Sequence, residues 1–385
     1  MAGKEKDLET LAVHAGEPRP GVLGAVVLPV FQSAMYEVGP DAKPEDLKYI
    51  RINNTPNHLA LQAKLAALEG GQACVVAASG MAAISTALLA VLSAGDHLLV
   101  QDSLYGGTHD FVTKDLPGFG IAYDFIDADK PETWAAKTLP ATKAIYVEVM
   151  SNPLLRVGDL KAVAKFAKAR GMVSMVDNTF AGPVNFRPLE HGFDLSLHSA
   201  TKSLNGHSDL VAGAVIGSRA LVGRVAAKLM NLGGCMDPHQ AFLLHRGVKT
   251  LALRMARQNA SALKIAGFLE KHPAVVRVNY PGLTSHPRHR RAKELFKGCG
   301  GVFSFELKGG VAAAERFMRK VSIPISAPSL GGVETLVTRP AATSHRGLSP
   351  AERQAAGISD GLVRVSVGIE AVEDLLQDFG RALRA

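Results

Sequence analysis

Short apolar strands alternate with helical stretches through the middle of the chain, and this alternation limits the fold more tightly than any other feature. CVVA at 74–77 reads as a strand, and the turn Ser79-Gly80-Met81 leads into an apolar helix over 82–92. HLLVQ (97–101), AIYVEV (144–149), MVSMV (172–176, ending at Asp177), LSLHS (195–199) and VAGAVI (211–216) read as further strands, with a helix over 160–169. Helical spacing also covers 59–68, where Gly70 and Gly71 stop it. Such alternation predicts an α/β layer structure with a mainly parallel sheet.

The pattern changes near residue 250. A long helical stretch at 251–269 leads into short strands at 275–278, 302–307 and 362–367, with helices at 311–319 and 372–383. A smaller α+β domain is expected there. The chain's 385 residues suit two domains better than one core. The expected division is an N-terminal arm over 1–55, a large α/β domain over 56–250 and a small α+β domain over 251–385. The arm reads as irregular and carries Pro18, Pro20, Pro29, Pro40 and Pro44, so it must lie on its own body or on a neighbouring subunit.

Composition narrows the function classes. Apolar residues make up 47% and charged residues 20%, which excludes disorder and collagen-like repeats. No run of about 18 apolar residues is present, so no membrane span is expected. The first ten residues, MAGKEKDLET, lack the apolar centre of a signal peptide, and the expected compartment is the cytoplasm. The net charge of +8 is spread along the chain, densest in HPRHRRAK at 286–293. No nucleic-acid motif accompanies that run, so it reads as a solvated face and no nucleic acid is expected as a partner. Three scattered cysteines, Cys74, Cys235 and Cys299, offer neither a disulfide framework nor a metal cluster, so no metal is expected.

Four features carry chemistry. Ser79-Gly80-Met81, between a strand and a helix, can aim free backbone N–H groups at a phosphate, although a plain tight turn explains the same residues. Asp177 ends a buried strand, where ligands bind in open α/β sheets, or it caps a turn. Lys202 follows a strand in Ser199-Ala200-Thr201-Lys202. Buried beside cations such a lysine has a lowered pKa and becomes nucleophilic, and the flanking hydroxyls can bind a phosphate at the same place, whereas most lysines are solvated. Arg364 interrupts the apolar strand LVRVSVG; facing inward it would clamp a carboxylate, and at an edge it would face water. Together the four meet the needs of a pyridoxal 5′-phosphate (PLP) site acting on an amino acid.

With these residues the sequence resembles the PLP-dependent Cys/Met-metabolism (transsulfuration) family of cystathionine lyases and synthases, methionine γ-lyase and homoserine-ester sulfhydrylases. Asp177-Asn178-Thr179-Phe180, Ser199-Ala200-Thr201-Lys202 and Gly206-His207-Ser208-Asp209 carry the likeness most specifically. Ser329-Leu330-Gly331-Gly332-Val333-Glu334 and Arg364-Val365-Ser366-Val367-Gly368 support it. The resemblance implies a fold type I PLP-dependent transferase architecture, like aspartate aminotransferase. It implies Lys202 as the Schiff-base lysine and proton carrier, and Asp177 as partner of the pyridine nitrogen. Tyr105 would stack on the ring and carry a proton. Gly80, Met81, Ser199 and Thr201 would hold the phosphate, and Tyr49 and Arg51 would reach a neighbouring subunit's phosphate within a homotetramer built as a dimer of dimers. Asn152, Ser329 and Arg364 would hold the carboxylate of a small sulfur amino acid.

Two departures stand out. Asn54-Thr55-Pro56-Asn57 displaces by one residue the proline of the family's usual Asn-Pro-Thr, and Glu148-Val149-Met150-Ser151-Asn152-Pro153 lacks the usual Glu-(Thr/Ser)-Pro. Neither touches Lys202 or Asp177. Gly107 stands where methionine γ-lyases usually carry cysteine, and Pro328 where bacterial synthases and mammalian lyases often carry glutamate; some plant members have proline there. The implied reaction is γ-elimination on cystathionine- or homocysteine-type substrates, as in a cystathionine γ-lyase. The alternatives are cystathionine γ-synthase, methionine γ-lyase, homoserine-ester sulfhydrylase, β-lyase activity on the side, and a PLP-binding regulatory protein without turnover. A nicotinamide dehydrogenase would leave Lys202 unexplained and lacks GxGxxG.

Overall fold

A computed structural model describes residues 6–43, 46–347 and 349–384. Pro44 and the first five residues of the expected arm lie outside the described residues. The strands are β1 (Ala73–Ala77), β2 (His97–Gln101), β3 (Ala122–Ile126), β4 (Thr142–Glu148), β5 (Val173–Asp177), β6 (Leu195–Ser199), β7 (Gly213–Gly217), β8 (Val275–Asn279), β9 (Val302–Leu307), β10 (Ile325–Ser326), β11 (Leu336–Thr338) and β12 (Leu362–Ser366). The helices are α1 (Leu8–His14), α2 (Pro56–Glu69), α3 (Gly80–Val91), α4 (Gly106–Asp110), α5 (Leu160–Ala169), α6 (Gly182–Asn185), α7 (Arg219–Leu232), α8 (Pro238–Val248), α9 (Leu251–Glu270), α10 (His289–Leu295), α11 (Gly310–Lys320), α12 (Pro350–Ala355) and α13 (Val372–Leu383).

Seven strands form the large sheet in the order β1-β7-β6-β5-β4-β2-β3. β7 runs antiparallel to both β1 and β6, and the other pairs are parallel. Alternate side chains point to opposite faces. Val75, Leu98, Tyr146, Met175 and Leu197 therefore pack under α3 and α7, whereas Leu99, Ile145, Val147 and Val176 pack under α5. Val76, Ala214 and Ile216 meet α2 and α8 on that second side. Both faces are covered, as a mainly parallel sheet requires.

The second sheet has five strands in the order β10-β11-β12-β9-β8, antiparallel except for β10 with β11. Phe303, Phe305, Val363 and Val365 bury one face against α9, α11 and α13. This matches the expected α/β fold with a smaller α+β part.

Three local readings change. The arm is not wholly irregular: α1 docks on α2 and α9, with Ala12 buried. Lys64, fully buried on α2, donates to the Ala12 carbonyl at 2.8 Å. The strand expected from Val211 starts at Gly213, because Val211 is half exposed and a Cβ at Gly213 would lie 2.1 Å from the Ser79 carbonyl oxygen. The basic run around α10 is largely internally paired: Arg288 and Arg291 both bind Asp129, and Arg290 pairs with Glu294. Among the described residues no helix is long and apolar enough to cross a membrane.

Candidate active site

Topology brings the chemistry together at one edge of the large sheet. Ala77 of β1 and Ser199 of β6 both pair with Gly213 of β7, so the start of α3 lies beside the end of β6. Asp177 ends the neighbouring β5, opposite Leu197. These strand ends open on a cavity of about 1120 Å³, which Arg364, Ser329 and Pro328 line from the small-sheet side. Val363 and Val365 face the small core, so the alternation turns Arg364 away from it.

Ser79 caps α3 by accepting the Ala82 N–H at 3.0 Å. The cap uses the third helical amide and leaves the first two, on Gly80 and Met81, to face the cavity. A Cβ on Gly80 would lie 2.8 Å from Ser199 Cβ, so only glycine lets the two elements meet. With the helix dipole, this is a cradle for an anion. Of the two hydroxyls expected to help, that of Thr201 donates to the Ala212 carbonyl at 3.1 Å and accepts the Ala212 N–H at 2.9 Å.

Asp177 is buried, and its Oδ1 accepts both the N–H (2.9 Å) and the hydroxyl of Thr179. Tyr146 donates to Oδ2 at 3.4 Å. Burial pushes the Asp177 carboxyl up, and the Thr179 hydrogen bonds oppose this. Glu148, also buried, accepts the Tyr105 N–H; burial and then the Asp177 charge raise it well above the usual carboxylate range. Two acids held in this way call for a cation beside them.

Lys202 Nζ donates to Ser329 Oγ at 2.8 Å. Burial, with Arg364 nearby, lowers its pKa to about 8. Ser329 sits at φ +98°, a conformation L side chains rarely adopt, and such strain is typical of working sites. Arg364 donates from Nη1 to Asn152 Oδ1 at 3.1 Å and from Nη2 to the Ser329 carbonyl at 2.7 Å. Its Nε is buried without a hydrogen-bond partner among the described residues. A buried fork with a free donor suits a carboxylate.

Residues 9–384 match a family described as Cys/Met metabolism PLP-dependent enzymes. The chain belongs to this family. It is 43% identical over 377 residues to a cystathionine beta-lyase of Lactococcus lactis, covering 98% of each chain. It is 42% identical over 386 residues to an L-methionine gamma-lyase of Pseudomonas putida, covering 98% of this chain and 97% of the relative. A crystal structure of cystathionine gamma-lyase from Lactobacillus plantarum, complexed with L-serine, superposes with a TM-score of 0.94 at 37% identity, covering 98% of this chain and 99% of that one. The PLP-dependent family thus accounts for the fold and the cofactor. The site fits the group on its own terms, with an anion cradle that a Cβ at Gly80 would fill and a buried acid awaiting a cation.

Ten of the expected site residues converge in the cavity: Gly80, Met81, Tyr105, Asn152, Asp177, Ser199, Thr201, Lys202, Ser329 and Arg364. Tyr49 and Arg51 do not. They stack on each other at the exposed surface, and Arg51 donates to the Met230 carbonyl at 3.4 Å. The displaced proline, Pro56, becomes the first residue of α2, a favoured place for it, while Asn54 holds the Tyr49 N–H and the Leu47 carbonyl. Sequence reasoning quoted Glu148 and Thr179 within motifs without giving either a role, and it missed His345. Burial and Arg364 hold the His345 imidazole down at about 4. Its signal was absent because only the fold brings it beside Asn152 and Arg364.

Proposed function

We propose that this enzyme cleaves the carbon–sulfur bond of cystathionine-type thioethers by γ-elimination. The observation that carries this reading is the placement of Lys202 Nζ, 2.8 Å from Ser329 Oγ, in one cavity with Asp177 and Arg364. PLP, when bound, supplies an electron sink for charge developing at the substrate's Cα. Lys202 would hold its aldehyde, Asp177 the proton on its pyridine nitrogen, and Gly80, Met81, Ser199 and Thr201 its phosphate. A lysine lowered to about 8 is neutral in a useful fraction of molecules, so Nζ can take the Cα proton and then serve Cβ. Arg364, Asn152 and Ser329 hold the α-carboxylate. Tyr105, which lines the same cavity, would lie against the cofactor and could carry a proton to the departing sulfur. Overall, cystathionine and water give cysteine, ammonia and 2-oxobutanoate.

Gly107 supports a cystathionine substrate over methionine. A side chain there would meet Tyr105 Cε1 at 2.8 Å and Met81 Sδ at 3.1 Å, so the place of the Tyr105 ring depends on glycine. The exposed Tyr49 and Arg51, on an arm that also exposes Leu23, Val26 and Met35, support an assembly in which they complete a neighbouring subunit's phosphate site. A homotetramer built from such dimers, with an arm over 1–55, a large domain over 56–250 and a small domain over 251–385, is part of the same reading.

A substrate panel tests it. 2-Oxobutanoate from cystathionine alone is the expected result. Product formed only from an acyl-homoserine with cysteine would instead mean a γ-synthase, and an inert protein would end the lyase reading. The Lactococcus relative favours a second reading, β-elimination, in which cystathionine and water would yield homocysteine, pyruvate and ammonia.

A further inference from the structure

Gly206 belongs to the motif Gly206-His207-Ser208-Asp209, yet it does not line the cavity. Its φ is +74°, and a Cβ there would lie 1.9 Å from Arg254 Nη1. The guanidinium of Arg254 therefore rests against the bare Cα of Gly206. Arg254, in the first turn of α9, is 4% exposed. Its Nη1 donates to the Ser203 carbonyl at 2.7 Å, and its Nη2 to the carbonyls of Leu204 (3.3 Å) and Gly247 (2.8 Å). Its Nε donates to Thr250 Oγ1 at 3.1 Å. Ser203 and Leu204 directly follow Lys202. A buried cation bound to backbone carbonyls is costly, and burial alone lowers its pKa to about 10. What it secures is the turn that carries the lysine.

One helical turn on, Gln258 is 1% exposed and donates Nε2 to the Gly332 carbonyl at 2.7 Å. Residues four apart share a helix face. Gly332 closes the segment whose Ser329 accepts from Lys202 Nζ and from Arg364. In the same segment a Cβ at Gly331 would lie 2.5 Å from the Ser203 nitrogen. One face of α9 thus grips both the lysine turn and the loop beside the carboxylate clamp.

We propose that Arg254 and Gln258 are positioning residues, and that α9 is the spacer setting Lys202 Nζ relative to Ser329 and Arg364. This rests on the roles given above to Lys202 and Arg364. The test uses holoenzyme carrying Arg254→Lys, Gly206→Ala or Gln258→Met. Three quantities are read: the lysine trapped by borohydride, the pH midpoint of the visible absorbance, and the Kd for glycine, which has the amino-acid head group and no leaving group.

The adduct is expected on Lys202 throughout. Arg254→Lys and Gly206→Ala should move the absorbance midpoint by about half a unit or more and lower kcat about tenfold. Gln258→Met should weaken glycine about tenfold while kcat stays within about threefold. A merely structural role would lower thermal stability and leave both midpoint and Kd at wild-type values. That result, with the adduct still on Lys202, overturns the proposal. If Arg254→Lys does not fold, Gly206→Ala and Gln258→Met decide it by the same criteria. A wild-type adduct on another lysine would instead overturn the functional reading and this inference with it.

Discussion

Replacing Lys202 with methionine should stabilise the cofactor-free protein at neutral pH while abolishing turnover. Burial, and then Arg364, hold the lysine at about 8 instead of its ordinary 10.5. Below pH 8 both folded and unfolded chains carry the ammonium, and the folded chain bears the full cost of burying it. Between about 8 and 10.5 the unfolded chain binds more protons, so wild-type stability rises with pH. Above 10.5 both states are neutral and the cost is gone. The fall from 10.5 to about 8 corresponds to about 3 kcal/mol. Methionine nearly matches the lysine stem and carries no charge, so its apoprotein should be up to about 3 kcal/mol more stable at pH 7. The gap should close as the pH approaches 10.5. Urea unfolding of both apoproteins from pH 7 to 10, with matched m-values, measures it. A variant no more stable than wild type at pH 7, or a gap that does not narrow, would refute this electrostatic account of the lysine.

The other predictions concern cofactor and substrate. Arg364→Lys keeps the charge but cannot reach Asn152 Oδ1 and the Ser329 carbonyl together; KM for the amino-acid substrate should rise about 30-fold or more, and steady-state kinetics showing an unchanged KM would reject the clamp. Gly80→Ala puts a Cβ 2.8 Å from Ser199 Cβ, so cofactor affinity should fall at least about tenfold by equilibrium dialysis. Gly107→Cys displaces the Tyr105 ring, and kcat should fall about fivefold or more while bound cofactor stays stoichiometric by absorbance.

The residues legible in the sequence share one trait: each places a charge or a turn where an apolar pattern ends or breaks. Asp177 closes a buried strand, Lys202 follows one and Arg364 interrupts another, and all three reach the cavity. Residues whose meaning depends on distant partners were not legible. Glu69 ends α2, yet it holds His198 and the side chain of Asn178, more than 100 positions away and next to Asp177. Arg254 reads as one more polar position in a long helix until its contacts with Ser203 and Leu204 appear. The same limit governs strands. β3 was missed because this edge strand is only partly buried and carries Asp124 at its centre. The reversal of β7 was missed because strand direction depends on the path between strands, which hydrophobic periodicity does not encode.

The opposed shifts inside the cavity explain why one site suits a cofactor and an amino acid together. Asp177 and Glu148 are both pushed up, so this region resists further negative charge. Lys202 and Arg364 are both pushed down, so the other region resists further positive charge. Groups of either kind are relieved by a ligand of opposite sign. A protonated heterocycle placed against Asp177 would relieve the first, and a carboxylate placed against Arg364 would relieve the second. A cation beside Asp177 would favour its charged form, and a carboxylate on Arg364 would offset a guanidinium that is already charged at neutral pH. The polarity that the empty arrangement resists is the polarity that the loaded one uses, and this couples tight binding to a site charged for proton transfer.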